Sequence, residues 1–120
     1  MSLSQIFKNS NLHLNATLRI VGEEERFFGP GRLQLLEQIE KTGSINQAAK
    51  NMGMSYKKAW QMINSMNAQT KTPIVITQTG GSSGGGAIVS EEGHEMMRYY
   101  KELQKRFQDF LAKETKNLLS

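Results

Sequence analysis

The sequence predicts a mainly α-helical fold with a small amount of β-structure, of the α+β class. Apolar residues recur at three- and four-residue steps from 30 to 67 and again from 91 to 118, a spacing that is typical of amphipathic helices. Shorter alternating or β-branched segments within 12–28 and 73–90 predict hairpins. The 120 residues have the length of one ordinary domain, so we expect a single domain over 1–120.

Composition and charge argue against several classes of protein. The chain has no cysteine and only two histidines, which lie far apart, so we expect no disulfide framework, no metal site and no cofactor. No segment approaches the roughly 20 apolar residues of a membrane-spanning helix, which favours a cytoplasmic bacterial protein. The acidic residues 23–25 are typical of a solvated turn, and no cluster of titratable residues predicts a catalytic site. We therefore do not expect an enzyme.

The N-terminal part predicts strands between residues 12 and 28. Leu12, Leu14, Ala16, Leu18 and Ile20 alternate with polar residues, which is the period of two of a half-buried strand. After the acidic turn, residues 26–28 are expected to return as a short second strand. An N-terminal hairpin is the result.

A three-helix core is predicted over residues 30–67. Pro30 suits the first position of a helix because its missing N–H would have no partner there. Leu33, Leu36 and Ile39, with Leu35 beside them, give this first helix a buried side. Thr42 and Gly43 are expected to end it.

Residues 44–67 have the pattern of a helix-turn-helix. Ser44 and Gln47 have the spacing of a capping box, so a second helix is expected to begin at Ile45. Gly53 supplies the left-handed residue that the turn needs, and Ser55 caps the third helix. The apolar residues of that helix predict a buried stripe of Tyr56, Ala59, Trp60, Ile63 and Met66. In such motifs the second of the two helices lies in the major groove of DNA.

A hairpin and a long helix are expected to follow. Residues 74–77 and 87–90 favour two strands around a glycine-rich turn at 80–86, which after a helix-turn-helix makes a wing over 73–90. The turn lacks the lysine of a phosphate-binding P-loop, so we do not expect a nucleotide site. Ser90 and Glu91 favour the start of a helix over 91–118. The predicted architecture is a winged helix-turn-helix with an N-terminal hairpin and a long C-terminal helix.

The charge distribution predicts double-stranded DNA as a partner. Lys50, Lys57, Lys58 and Lys71 are the only charged residues from 42 to 90, and their charge equals the net charge of the chain, +4. A surface that faces phosphates is expected to exclude carboxylates in this way. The expected DNA contacts are Ser44, Ser55, Tyr56, Lys57, Lys58, Gln61, Asn64 and Lys71, with Ser82, Ser83 and Gly84 at the wing tip. The alternative is a protein–protein interaction module of the same fold that has no specific DNA binding.

The last helix predicts a homodimer. Its apolar seam consists of Met96, Tyr100, Leu103, Phe107 and Phe110, which follow a seven-residue repeat. A helix of roughly 25 residues is about 37 Å long and overhangs a domain of this size, so a second copy is expected to cover the seam.

Several motifs of this sequence resemble those of the ModE family of molybdate-dependent transcriptional regulators, in its N-terminal domain. The motifs are G-S-I-N-Q-A-A-K at 43–50, M-S-Y-K-K-A-W at 54–60, I-N-S-M-N at 63–67, T-G-G-S-S-G-G-G-A at 79–87 and G-P-G-R-L-Q-L-L at 29–36. More loosely, the sequence is similar to the LysR-type winged helices, which have a different wing.

The resemblance implies a winged helix-turn-helix that dimerises and binds a partly palindromic operator. By position, Ser55, Tyr56 and Lys57 open the recognition helix, and residues 82–86 form the wing tip. The sequence departs from the family in having Ser82 and Ser83 where a basic residue is frequent. It also has no molybdate-binding module before its end at Ser120. We therefore expect these 120 residues not to sense molybdate, and a separate effector protein is one expected partner.

Overall fold

The computed structural model of the chain describes residues 1–78 and 86–120. The helices are α1 (Pro30–Thr42), α2 (Ile45–Asn51), α3 (Tyr56–Ala68) and α4 (Glu91–Leu119), preceded by a 3₁₀ turn at Leu3–Gln5. The strands are β1 (Ile20–Val21), β2 (Arg26–Phe28), β3 (Val75–Gln78) and β4 (Gly86–Val89). Two separate antiparallel hairpins, β1–β2 and β3–β4, accompany the helices. The predicted α+β winged helix fold is confirmed.

The helix ends follow the local sequence. Gly43 and Gly53 have φ angles of 69° and 67°, in the left-handed region that favours glycine, and they end α1 and turn the chain after α2. The Ser44 hydroxyl accepts a hydrogen bond from the Gln47 N–H at 3.1 Å, as predicted. The reciprocal half of the capping box is absent: the Gln47 side chain donates to Asn51, and the Ser44 N–H donates to the Thr42 hydroxyl at 3.2 Å.

The core lies between the three helices, the wing and the first part of α4. Ala48 and Ala59 are fully buried, so α2 and α3 cross at close range. The larger buried side chains are Phe28, Leu35, Leu36, Ile39, Ile63, Met66, Val75 and Tyr100. The rings of Phe28 and Tyr100 meet edge to face with their centroids 5.1 Å apart, and this contact joins the N-terminal hairpin to α4.

The strand predicted from Leu12 to Ile20 is wrong over most of its length. β1 comprises Ile20–Val21 only, and residues 12–17 are exposed without regular structure. A strand needs a neighbour for its backbone groups, and β2 has three residues. The segment lies against α4 instead: the Leu14 N–H donates to Thr115 at 3.0 Å, and the Tyr100 hydroxyl donates to the Leu18 carbonyl at 2.6 Å.

Hydrogen bonds fix the wing to the three-helix core and to the start of α4. The register pairs Val75 with Val89 and Gln78 with Gly86, which confirms the predicted hairpin in its described part. The Ala87 N–H donates to the Gly43 carbonyl at 3.0 Å, so β4 is attached to the turn between α1 and α2. The buried Ser90 hydroxyl donates to the Pro73 carbonyl at 2.6 Å and caps α4 by accepting from the Gly93 N–H at 3.1 Å.

The long C-terminal helix extends beyond the core. α4 has 29 residues and is therefore about 43 Å long. Its first half contributes Met97 and Tyr100 to the core, whereas its second half contributes Leu111, which is buried outside the main hydrophobic cluster. Within the described residues, none of the helices combines the length and the apolar character that a bilayer-spanning segment needs.

Candidate nucleic-acid interface

The second helix of the helix-turn-helix, α3, has one buried and one exposed polar side. The Ser55 hydroxyl accepts from the Lys58 N–H at 3.0 Å and starts the helix at Tyr56. Ala59, Ile63 and Met66 are buried, as the apolar stripe predicted. Lys57, Lys58, Gln61 and Asn64, which were predicted to contact DNA, are all exposed. The helix thus presents amides and ammonium groups, which are donors to phosphates and to base edges.

Tyr56 does not belong to the buried stripe. Its side chain is 50% exposed because it stands in the first turn of α3, where the helix projects from the core. Its ring meets that of Trp60 edge to face at 6.1 Å. Trp60 is half-buried and packs against the core from its edge. The two rings lie at one edge of the exposed side of α3. Tyr56 therefore remains a predicted DNA contact.

The electrostatics of this surface follow from its lysines. Lys50 is exposed in the last turn of α2, and Lys71 is exposed between α3 and β3. The segment from 42 to 90 has no acidic residue. The acidic side chains that form ion pairs in the described part of the chain belong to α1 and α4, for example Glu37 with Lys101 at 3.0 Å and Asp109 with Lys105 at 3.5 Å. The exposed side of α3 is therefore positively charged.

The remaining predicted contacts are two serines at helix N-termini and three residues of the wing tip. Ser44 and Ser55 use their hydroxyl oxygens to cap helices, and each hydroxyl proton remains for a phosphate. Ser82, Ser83 and Gly84 lie outside the described residues.

Sequence reasoning missed the residue that orients the wing relative to α3. The Asn67 Oδ1 atom accepts from the N–H groups of Ile74 and Val75 at 2.7 and 3.2 Å, and its Nδ2 atom donates to the Val75 carbonyl at 3.1 Å. Its amide therefore replaces a strand neighbour for the start of β3. The available signal was an asparagine at the end of a helix, shortly before a proline and a β-branched run.

The predicted dimer seam on α4 is only partly available to a second copy. Tyr100 is fully buried within its own chain, so it is removed from that surface, and Met96 packs against the same core. Leu103 and Phe107 are half-buried, and Phe110 is 55% exposed. The rings of Phe107 and Phe110 stack with centroids 6.5 Å apart. The unpartnered apolar surface consequently lies towards the C-terminal half of the helix.

Comparison with known proteins agrees with this geometry. A family model described as bacterial regulatory helix-turn-helix protein, lysR family, matches residues 30–94.

Individual relatives are transcriptional regulators and a transport protein named ModE. The chain is 44% identical over 78 residues to the transcriptional regulator ModE of Yersinia pestis, and these residues are 65% of this chain and 30% of that protein. It is 36% identical over 98 residues to the transcriptional regulator ModE of Haemophilus influenzae, which is 82% of this chain and 37% of that protein. It is 39% identical over 87 residues to the molybdenum transport protein ModE of Azotobacter vinelandii, which is 72% of this chain and 32% of that protein. The chain spans about a third of the length of these relatives. The similarity expected from the sequence motifs is confirmed.

Proposed function

This chain belongs to the bacterial regulatory helix-turn-helix proteins of the lysR family, and on that premise we propose that it is a sequence-specific, DNA-binding transcriptional regulator of the ModE type. The observation that carries the proposal is the exposed side of α3, which has Lys57, Gln61 and Asn64 on it and belongs to a segment, 42–90, that contains no acidic residue. Such a protein acts in the bacterial cytoplasm, where its DNA is.

In this proposal α3 is the recognition helix and its first two turns enter the major groove. Lysine reads guanine by donating to O6 and N7, and glutamine or asparagine reads adenine with paired hydrogen bonds. Lys57, Gln61 and Asn64 lie on one side of α3 because their spacing is that of a helix, and they have the chemistry for these contacts. Ser44, Ser55 and Lys71 contact phosphates and fix the register of the helix in the groove.

The wing contacts the DNA beside the recognition helix. Asn67 holds β3 against the end of α3, so the position of the wing follows that of the helix. In the proposal, Ser82, Ser83 and Gly84 at the tip reach the backbone or the minor groove.

The regulator acts as a homodimer in this proposal. Leu103 near the middle of α4, with Phe107 and Phe110 in its C-terminal half, provides an apolar surface for a second copy. A two-fold axis places two recognition helices about 34 Å apart, so that they read half-sites one helical turn apart or a multiple of it.

The substitution Lys57→Ala tests DNA binding directly. If Lys57 contacts phosphate, the variant weakens binding to all DNA and lowers the slope of log affinity against log salt by about one. If Lys57 reads guanine, the loss is about 1–3 kcal/mol and is confined to one base position. Gel shifts with genomic fragments and random DNA at two salt concentrations measure both quantities.

The matched control is Lys116→Ala, which removes an exposed lysine from the last turn of α4. It is expected to leave both the affinity and the salt slope within error of the wild type. Equal binding of wild type and Lys57→Ala to specific and random DNA would remove Lys57 from the interface. A wild-type protein without DNA binding at low salt would contradict the proposed function itself.

A further inference from the structure

A basic cleft of about 330 Å³ lies on the side of α3 that faces the N-terminal hairpin. The β1–β2 hairpin, the N-terminus of α1 and α3 enclose it. Four cationic side chains line it: Arg19, Arg26, Arg32 and Lys58. The other lining residues are Phe28, Gly29, Pro30, Gly31 and Met62, so no carboxylate lines the cleft in the described part of the chain. Four like charges around one small cleft repel each other, and an anion bound between them offsets that repulsion.

These cations are not used by ion pairs. Within residues 1–78 and 86–120, none of the four has a carboxylate oxygen within 4.0 Å. The nearby Glu25 carboxylate accepts from Ser65 at 2.8 Å and from Gln69 at 3.3 Å. Arg32 donates to the carbonyls of Arg26 and Phe27 at 2.6 and 2.9 Å, which fixes its guanidinium at the rim of the cleft. Partial burial lowers the pKa of Arg32 and the Arg26 charge lowers it further, while the Glu25 charge acts in the opposite direction.

The N-terminus of α1 opens into the same cleft. Gly29 caps this helix without any side-chain acceptor, and the first intrahelical bond runs from the Leu33 N–H to the Gly29 carbonyl at 3.0 Å. The N–H groups of Gly31 and Arg32 therefore have no intrahelical acceptor, and the helix dipole adds positive potential there. A Cβ atom on Gly29 would lie 3.2 Å from the Arg19 Cγ, so glycine allows the Arg19 side chain to lie across this helix end.

The cleft and the wing lie on opposite sides of the recognition helix. Lys58 and Met62 of α3 line the cleft, and Ser65 and Gln69 continue the same side with bonds to Glu25 and the Arg26 carbonyl. Asn67 faces the other way and holds β3. A helix that lies in the major groove has a sugar–phosphate strand on each side of it. With α3 docked in the major groove as proposed above, the wing would face one of these strands and the cleft would face the other.

We propose that this cleft binds a phosphate-type oxyanion, and that the oxyanion is a phosphodiester of the DNA strand that borders the major groove on the side away from the wing. Arg19, Arg26 and Lys58 neutralise the phosphate, and the N–H groups of Gly31 and Arg32 donate to its oxygens. The inference rests on the proposed function for the source of the phosphate. A free inorganic oxyanion has the same chemistry, and the experiment separates the two sources.

The test compares the wild type with the double variant Arg19→Gln/Arg26→Gln. Both side chains are exposed and their head groups hold no element in place, whereas Arg32 is left intact because it bonds to two carbonyls. We expect severalfold weaker binding to specific and random DNA alike, and a salt slope that falls by about 0.9 for the one phosphate released. The control Lys105→Gln/Lys116→Gln removes the same charge from α4 and is expected to leave the slope unchanged.

The second arm measures thermal melting in sodium phosphate and in sodium chloride of equal ionic strength. A cleft that takes only DNA phosphate gives no saturable shift in phosphate, since one free ion gains little without the rest of the DNA. A saturable upward shift in the wild type that is absent from the double variant, with an unchanged DNA salt slope, assigns the cleft to a free oxyanion. An unchanged slope together with no phosphate-dependent shift overturns the proposal.

Circular dichroism and thermal melting are the folding controls for this test. Circular dichroism and melting of the variants in sodium chloride show whether they fold, and Arg26→Gln alone replaces the double variant if that variant does not. Failure of the proposed function has a different signature, because the wild type then binds no DNA. In that case only a saturable, phosphate-dependent rise in the melting temperature, present in the wild type and absent from the variant, supports oxyanion binding in the cleft. The absence of that rise overturns the proposal.

Discussion

Asn67 shows how much one side chain contributes at the junction of α3 and the wing. Its amide satisfies two N–H groups and one carbonyl of the segment that enters β3, and it is half-buried. Asn64, one turn earlier, is exposed and has no such role. Substituting each of these two asparagines of α3 in turn therefore distinguishes an effect on stability from an effect on DNA binding.

We predict that Asn67→Ala lowers the free energy of unfolding by about 2 kcal/mol, because it leaves three partly buried backbone groups without a partner. Urea denaturation measures this loss. The matched variant Asn64→Ala is expected to keep the stability within about 0.5 kcal/mol and to weaken DNA binding. Equal stability of the two variants would show that Asn67 does not hold the wing.

A second residue-scale prediction concerns the close approach of α4 to the wing. A Cβ atom on Gly93 would lie 2.6 Å from both the Ile74 carbonyl oxygen and the Val89 Cγ1 atom. Gly93→Ala must therefore move α4 away from the hairpin, and we expect a loss of about 1–3 kcal/mol. Gly31→Ala, whose Cβ would have its nearest neighbour, the Met62 Cε atom, at 4.0 Å, is expected to gain up to about 1 kcal/mol. Melting curves of the two variants that shift in the same direction would contradict this packing.

At the scale of elements, the N-terminal segment is attached to α4 by side chains and not by a sheet. The Tyr100 hydroxyl donates to the Leu18 carbonyl at 2.6 Å, and burial raises the pKa of this phenol, while its bond to Gln104 and the Arg19 charge partly oppose the shift. The folded state thus favours the neutral phenol. The stabilisation is fully present below the ordinary tyrosine pKa of about 10 and is lost as the pH rises through the folded-state value.

We therefore predict that the stability of the wild type, relative to Tyr100→Phe, falls between about pH 8 and about pH 11. The comparison cancels the titration of lysines, which is common to both proteins. Chemical denaturation at the two pH values measures the difference. A difference that stays constant over this range would mean that the hydroxyl is ionised as easily in the folded chain as in the unfolded one.

At the scale of the whole molecule, α4 gives the chain its elongated shape, with a longest dimension of 68 Å. The chain itself does not cover all the apolar residues of α4, since Tyr99 in its first half and Phe110 in its second half are about half exposed. A monomer would leave this surface in water, and burial of apolar surface is worth about 25 cal/mol per Å².

We predict that the wild type sediments as a dimer at tens of micromolar and that Phe110→Glu sediments as a monomer with reduced affinity for a two-half-site operator. The reason is that the substitution places a carboxylate in the apolar interface. Gln108→Glu adds the same charge at an exposed position of the same helix and is expected to remain dimeric. A wild-type monomer at this concentration would contradict the dimer.

Sequence reasoning identified the exposed side of the candidate site but not its surroundings. Lys57, Gln61 and Asn64 follow from helical spacing alone, because the buried stripe of α3 fixes which side is exposed. Asn67 and the cleft at Arg19, Arg26 and Arg32 do not follow from spacing. The hydrogen-bond partners of Asn67 lie 7 or more residues further along the chain. Lys58 is on a different element from the three arginines, and only the packing of the hairpin against α3 brings these four cations together.

The sequence by itself determined the helices, their caps and the wing, because these depend on local signals. Serine caps at 44, 55 and 90 and left-handed glycines at 43 and 53 act within a few residues of the chain. Tertiary structure decided the N-terminal segment and the seam of α4. Alternating leucines at 12–18 favour a strand only if another strand is beside them, and α4 lies there instead. Tyr100 has the spacing of a dimer contact, yet its ring fills the space beside Phe28 in its own chain, because burial depends on which surfaces meet and not on periodicity.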